Sequence, residues 1–166
     1  GVELAEMLNA LLDNTASVCH GPSLLAIQDV GASLATLGEI KNRADTIIFW
    51  GSNPVHAHPR HLSRYSDFIR GYFRTDGRND RNIIVVDPRN THTAQIADKY
   101  IRVNPSEDYE LIQAIRAILR GSELDVKEVS GVPIDDIKEL VEELKSCNFG
   151  VVFFWYGINS KLSTSP

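Results

Sequence analysis

The chain has 166 residues, of which 43% are hydrophobic and 23% charged, and its formal net charge is −5. Such a composition is typical of a globular protein with a sizeable core, and no apolar run reaches the roughly 18 residues that a membrane span needs. The negative charge argues against a dedicated nucleic-acid binder, and the acidic, helix-patterned start argues against a signal peptide. We therefore expect a cytoplasmic protein without a nucleic-acid partner.

The first half of the chain contains two predicted strands and several predicted helices. Apolar residues with helical spacing predict a helix over residues 3–13, and Pro22 and Ser23 suit the opening of a second helix. The apolar run 46–50 predicts a buried strand, a helical stretch is expected over 58–69, and a second buried strand covers 83–86. Further along, Thr91 and Thr93 are candidate caps of a short helix.

The second half continues the alternation of strands and helices. Strands are predicted at 100–103 and 150–155, and helices at 108–119 and 134–146. Strands that are apolar on both faces and alternate with helices are typical of a parallel sheet covered on each side. The sequence therefore predicts a single doubly wound, mostly parallel, Rossmann-like α/β domain over residues 1–166.

Small, polar or charged residues follow the predicted strands, where ligands bind in such folds. Glycine lets the backbone approach a phosphate, and an aspartate at a strand end can accept hydrogen bonds from a ribose or from a guanine edge. Taken singly, such groups are better explained by turn or helix-capping chemistry. Together they favour a nucleotide-like ligand. The groups are Cys19-His20, Gly51-Ser52-Asn53-Pro54, Asp87-Pro88-Arg89, Asn104-Pro105 and Gly157-Ile158-Asn159.

Cys19 and His20 are the candidate reactive pair. A thiolate is a soft metal ligand and a nucleophile, and an imidazole can act as an acid or a base. Adjacent residues on a strand point to opposite faces, so the pair can act together only if the backbone turns there, as Gly21-Pro22 permits. An inert buried cysteine is the alternative, and it is our interpretation of Cys147.

Two other patterns have both a functional and a structural interpretation. His56, His58 and His61 resemble a zinc-binding spacing, but they follow a turn at a helix start, so surface or cofactor contacts are favoured over metal binding. The segment 60–81 interleaves arginines with aromatic residues, as surfaces that bind single-stranded nucleic acid do. The net acidity of the chain favours the alternative, in which this segment packs against another subunit and its arginines reach cofactor phosphates.

These residues resemble the molybdopterin oxidoreductase superfamily. Val18-Cys19-His20-Gly21-Pro22-Ser23 is similar to the metal-ligand segment of its formate dehydrogenases, and the segments 51–54 and 86–98 resemble its dinucleotide-binding pattern in order and spacing. The segments 56–61 and 74–78 are more similar still to the tungsten- or molybdenum-containing B subunits of formylmethanofuran dehydrogenases. The resemblance extends from about Thr15 to Asn159.

The resemblance implies a catalytic role for Cys19 and His20. Cys19 would be the protein ligand to tungsten or molybdenum, and His20 would handle protons beside it. Two molybdopterin guanine dinucleotides would hold the metal, and the chemistry would be reversible reduction of CO2 to formate. The implied cofactor-binding residues are Gly51, Ser52, Asn53, Pro54, His56, Asp87, Arg89, Asp108, Gly157 and Asn159.

The resemblance also implies a larger assembly. The chain starts without Met, and we expect a piece of a longer subunit whose 4Fe-4S segment and active-site arginine lie outside residues 1–166. The implied partners are an amidohydrolase-like subunit, which would receive the formate, and iron–sulfur electron-transfer subunits. The piece alone is expected to be inactive. A plain formate dehydrogenase and a scaffold relative without redox chemistry stay open as alternatives.

Overall fold

The computed structural model describes residues 1–14, 17 and 20–154. Cys19, Gly157 and Asn159 consequently lie outside the described residues. The chain divides into two compact units, Gly1–Leu34 and Ala35–Pro166, and the assignment of residues 1–166 to one domain stays a prediction. Within the described ranges, none of the helices combines the length and the apolar character needed to cross a membrane.

The first unit contains two helices, α1 (Val2–Met7) and α2 (Gly21–Val30). The predicted opening of α2 at Pro22 is confirmed, and Gly31, with φ of +74°, follows its last turn. The prediction of a helix over 3–13 is wrong in its second half. The helix stops at Met7 because Asn9 adopts a left-handed backbone conformation, with φ of +49°, that cannot continue a right-handed helix.

The second unit alternates helices and strands, as the sequence predicts. In chain order its elements are α3 (Leu37–Arg43), β1 (Thr46–Trp50), α4 (Pro54–Ala57), α5 (His61–Arg64), a 3₁₀ turn (Gly77–Asp80), β2 (Asn82–Val86), α6 (His92–Gln95), β3 (Lys99–Ile101), α7 (Asp108–Leu119), β4 (Glu128–Val129), β5 (Val132–Pro133), α8 (Ile134–Ser146) and β6 (Gly150–Phe154).

Four strands form one sheet in the order β3-β2-β1-β6, and every neighbouring pair is parallel. This arrangement confirms the predicted α/β fold. Trp50 at the end of β1 pairs with Val86 of β2 and with Phe154 of β6, so these three strands end at the same level. The chain order β1-β2-β3 runs to one side of β1 and β6 joins on the other, so the strand order reverses beside β1.

Two apolar layers cover the sheet. On one face Ile48 and Ile84 pack against α7 and α8, and on the other Phe49 and Val85 pack against α3, α5 and α6. The alternation along β1 and β2 sends successive side chains to opposite layers. Because both faces are covered, all five residues of β1 are buried.

The predicted helix over 58–69 is wrong. A single turn, α5, replaces it, and an irregular segment follows Tyr65. Pro59 explains the break, because the residue before a proline is disfavoured in helical conformation, and His58 is not helical there, with φ of −143° and ψ of 74°. Residues 71–74 instead make loop contacts with the end of α3.

Helix α3 and the hairpin β4–β5 have no counterpart among the predicted elements. Helix α3 begins at a capping box, in which the Thr36 hydroxyl accepts the Glu39 N–H and the Glu39 carboxylate accepts the Thr36 N–H. The hairpin β4–β5 turns through Ser130 and Gly131, both with positive φ. Threonine followed three residues later by glutamate, and Ser-Gly between two valines, were the signals that could have predicted them.

Arg81 holds the loop after α5 to the end of α3. Its guanidinium is nearly inaccessible and donates hydrogen bonds to four carbonyl oxygens, those of Ile40, Lys41, Ala44 and Ile69. Nearby, Asp67 is fully buried, and neither carboxylate oxygen has a hydrogen-bond partner among the described residues. Burial raises the pKa of Asp67 to about 6, although the positive charges of Arg78 and Arg81 oppose the shift.

Asp67→Asn is expected to stabilise the protein at alkaline pH. The folded-state pKa lies above the unfolded value, so the aspartate contributes most to stability below about pH 4 and loses that contribution as pH rises through about 6. The variant should therefore raise Tm at pH 8, equivalent to about 1–3 kcal/mol, and raise it less at pH 4.5. Thermal unfolding of the full-length subunit at both pH values measures this, with the exposed Asp125→Asn as control. Equal shifts at the two pH values would contradict it.

Candidate functional site

The loop after β1 brings four predicted site residues to the carboxyl edge of the sheet. Gly51 has φ of +58°, a conformation that L side chains rarely adopt, and its N–H donates to the Val86 carbonyl 2.8 Å away. Ser52 makes no hydrogen bond to another described residue. Asn53 is the N-cap of α4, and Pro54 occupies the first turn, where its missing N–H costs nothing. The loop thus presents backbone at the edge where ligands bind.

The loop after β2 places Asp87 beside it. Asp87 is 3% exposed, and its Oδ1 accepts the Arg89 backbone N–H at 2.8 Å. The Tyr100 hydroxyl donates to the Asp87 carbonyl oxygen at 3.0 Å, which ties the turn after β2 to β3. By contrast the Arg89 side chain is 80% exposed and only loosely associated with Asp87, at 3.9 Å. A fixed acceptor therefore lies next to an exposed cation.

A buried hydroxyl joins the two loops. Thr93 Oγ1 donates to Asn53 Oδ1 at 2.7 Å and accepts the Val55 N–H at 3.3 Å. Thr93 is completely buried, so both bonds are shielded from water and their loss would leave polar groups unpaired. Thr91 caps α6 by accepting the Ala94 N–H, as its sequence position predicts.

A pair of histidines makes the second link between the loops. His56 Nε2 lies 2.8 Å from His92 Nδ1, and the two rings are 4.8 Å apart. One imidazole must accept the hydrogen bond that the other donates. His56 is a predicted site residue, but His92 was missed, because its pairing depends on α6 meeting α4 and leaves no local sequence signal.

Asp108 is the first residue of α7 and lies next to the end of β1. Its Oδ1 accepts the indole N–H of Trp50, the last residue of β1, at 2.7 Å. This hydrogen bond holds the first turn of α7 to the end of the central strand. The Oδ1 atom of Asp108 thus positions the start of α7. A cofactor contact for Asp108 stays a prediction.

A cavity of about 420 Å3 opens where β1 and β6 end, at the reversal of the strand order. Phe49 and Phe153 contribute apolar walls, and Ser52, His58 and His61 contribute polar groups. His61 Nε2 is buried without a hydrogen-bond partner among the described residues. Burial lowers the pKa of His61, and neighbouring His58 adds to the effect. No sequence motif singled out His61 by itself.

Four further candidate residues lie either in the first unit or outside the described residues. His20 is exposed in the first unit, as the N-cap of α2, and Cys19, Gly157 and Asn159 lie outside the described residues. Across residues 1–14, 17 and 20–154, no three His, Cys, Asp or Glu side chains are grouped to hold a metal ion. Cys147 is half-buried, its Sγ donates to the Leu144 carbonyl, and burial raises the pKa of its thiol.

Comparison with known proteins gives this geometry a family context. The chain is 63% identical, over 158 residues, to the B subunit of tungsten-containing formylmethanofuran dehydrogenase 2 from Methanocaldococcus jannaschii; the match covers 95% of the chain and 36% of that protein. It is also 30% identical, over 110 residues, to the alpha subunit of F420-dependent formate dehydrogenase 2 from Methanococcus maripaludis. This match covers 65% of the chain and 15% of that protein. The chain therefore spans about a third of the formylmethanofuran dehydrogenase relative. No family model matches it.

A solved structure supports the fold independently. The formyltransferase/hydrolase complex from Methylorubrum extorquens, crystallised with methylofuran, contains a chain that superposes with a TM-score of 0.58. The superposition covers 95% of this chain and 41% of that one, at 22% sequence identity. At this identity the similarity concerns the fold alone.

Thr93→Val is expected to loosen the edge without changing its shape. The valine removes the hydroxyl that joins Asn53 and Val55, so two polar groups lose their partner and Tm should fall by several degrees. Thr93→Ser keeps the hydroxyl and should retain most of the stability. Thermal unfolding of the purified full-length subunit compares the two variants. A valine variant as stable as wild type would show that the hydroxyl does not join the loops.

Proposed function

We propose, from the similarity of this chain to the B subunits of formylmethanofuran dehydrogenases, that it forms part of a tungsten or molybdenum catalytic subunit. The observation that carries the proposal is the 63% identity over 95% of the chain. The reaction would be the reversible reduction of CO2 by two electrons and one proton to formate, on the way to N-formylmethanofuran. Because the chain spans 36% of that relative, the activity of the whole protein belongs to the proposal.

The carboxyl edge of the sheet has the donors and acceptors that a pterin guanine dinucleotide needs. Gly51 has no side chain that would keep a ligand from its backbone, and the exposed Arg89 offers a cation to a diphosphate. Asp87 Oδ2 makes no hydrogen bond to another described residue, so the carboxylate can accept the N–H edge of a guanine. The Asn53–Thr93 and His56–His92 links keep both loops in place before binding. These residues fit the group.

The cofactor, bis(molybdopterin guanine dinucleotide) with tungsten or molybdenum, would supply a two-electron redox centre when bound. Cys19 would hold the metal through its thiolate, which is a soft ligand suited to it. His20 would hold or release the proton that the reaction requires, at one of its imidazole nitrogens. Ser52, Pro54 and His56 would line the dinucleotide site.

More contacts and partners belong to the same proposal. Asp108, Gly157 and Asn159 would make additional cofactor contacts. A 4Fe-4S cluster elsewhere in the parent subunit and separate iron–sulfur subunits would deliver electrons. An amidohydrolase-like subunit would condense the formate with methanofuran.

A plain formate dehydrogenase is the second candidate, and the 30% identity to a formate dehydrogenase alpha subunit supports it. Both candidates use the same metal ligand and the same cofactor. They differ in their partners, because a formate dehydrogenase is expected to bind an electron-transfer subunit rather than an amidohydrolase-like one. The identity of the co-purifying subunits separates them.

The full-length subunit, purified anaerobically with its natural partners, should contain about one tungsten or molybdenum and about two guanine nucleotides. Metal analysis and chromatography of the nucleotides released by acid measure both. Cys19→Ala should abolish CO2 reduction in the assembled enzyme, because the metal loses its protein ligand. Cys147→Ala is the matched control and should keep wild-type activity. Intact protein without metal and nucleotide, or an active Cys19→Ala variant, would overturn the proposal.

A further inference from the structure

Two aromatic rings point into solvent from a short loop of the second unit. This aromatic loop comprises residues 70–74, and within it Tyr72 is 79% exposed and Phe73 is 60% exposed. Their rings meet edge to face, with centroids 4.8 Å apart. Exposed neighbouring aromatic side chains are typical of surfaces that become covered by a partner, because their burial contributes much of the binding energy of protein interfaces.

The aromatic loop is anchored by backbone rather than by its exposed side chains. The Tyr72 N–H donates to Asn42 Oδ1 at 2.9 Å, and the Phe73 N–H donates to the Asn42 carbonyl at 3.1 Å. Arg74 Nε donates to the Arg43 carbonyl at 3.0 Å. The end of α3 thus fixes the loop while leaving both rings exposed, so little conformational entropy remains to be lost on binding.

Gly71 shows how closely the loop approaches α3. A Cβ atom at this position would collide with the Lys41 carbonyl oxygen, so no other residue fits there without a shift of the backbone. The Gly71 N–H also donates to the Arg74 carbonyl at 2.9 Å, which closes the turn. The conformation that presents the two rings therefore depends on a glycine.

Exposed arginines lie within and beside the aromatic loop. The Arg43 guanidinium lies 6.0 Å from the Phe73 ring centroid and 5.5 Å from that of Phe149. Arg43 and Arg70 are exposed, and neither forms an ion pair with another described residue. Arg74, in contrast, is engaged by Asp45 at 3.5 Å. A partner that covers the rings would consequently gain from carboxylates at its rim.

The aromatic loop lies at the opposite end of the sheet from the candidate site. Asp45 directly precedes β1, and Asn148 and Phe149 directly precede β6. A notch of about 190 Å3 lies beside the rings, and it is lined by Arg43, Phe73, Arg74, Asn148 and Phe149. The loop is thus at the amino ends of the strands, whereas Gly51 and Asp87 follow their carboxyl ends. Covering the loop would leave the candidate site accessible.

We propose that the aromatic loop is a docking surface for a different subunit of the same enzyme, one that presents an apolar socket bordered by carboxylates. The proposal rests on the proposed function in one respect, that the chain works within a multisubunit enzyme, as the name of its relative indicates. Single-stranded nucleic acid fits less well, because rings inclined at 82° cannot stack on two successive bases. The net charge of −5 also opposes a polyanion.

The test compares two double variants of the full-length, tagged protein produced with its natural partner subunits. Tyr72→Ala with Phe73→Ala removes both rings, and Tyr72→Phe with Phe73→Tyr keeps them as a matched control. Quantitative mass spectrometry of the purified complex measures the amount of each identified subunit. In the alanine variant we expect the amount of at least one partner to fall about tenfold or more, with bound metal and guanine nucleotide unchanged. The control should match wild type.

Arg43→Glu provides a second variant if the alanine pair is poorly folded. This exposed single change should release the same partner, and increasing salt should weaken its retention in wild type but not remove it completely. Wild-type subunit composition in both the alanine and the glutamate variants would overturn the proposal. So would a wild-type homodimer, or binding of single-stranded nucleic acid, that the alanine pair abolishes. Wild-type protein lacking metal and nucleotide would overturn the proposed function only, because the amounts of the partner subunits in the variants would still test the docking surface.

Discussion

Strand β1 is the constraint on which the rest of the second unit depends. It is hydrogen-bonded on both edges and covered on both faces, so all five of its residues are buried. Its carboxyl end positions Gly51 beside Asp87, and its last residue, Trp50, holds α7 through Asp108. Just before its amino end, the Asp45 carboxylate accepts hydrogen bonds from Asn148 and forms an ion pair with Arg74. The candidate site and the aromatic loop therefore lie at opposite ends of β1.

The sequence predicts the fold well wherever burial determines it. Strand 46–50 and helices 108–119 and 134–146 have their predicted bounds, because continuous apolar runs and helical periodicity report burial directly. Prediction fails over 58–69, where the aromatic and apolar residues suggest a helix but Pro59 breaks it and contacts with α3 replace it. Such contacts join residues about 30 positions apart, as Tyr72 with Asn42 does, and no local pattern encodes them.

The candidate site could be predicted in outline but not in its connections. The rule that ligands bind at strand ends places Gly51, Asn53 and Asp87 at one edge, and the structure brings them there. The bonds that organise this edge, Asn53 with Thr93 and His56 with His92, depend on α4 meeting α6. The roles of Cys19, His20, Gly157 and Asn159 stay predictions based on family resemblance. The energetic logic is that fixed loops lose less entropy when a large anionic cofactor binds.

Metal ligation by Cys19 is the central claim, and X-ray absorption spectroscopy of the metal tests it most directly. The measurement uses the anaerobically purified full enzyme, as wild type and as Cys19→Ser, with Cys147→Ser as control. We predict that Cys19→Ser replaces one sulfur ligand of the tungsten or molybdenum by oxygen, and that Cys147→Ser leaves the spectrum unchanged. An unaltered sulfur count in the Cys19 variant would contradict the account, because the metal would then be held by another residue.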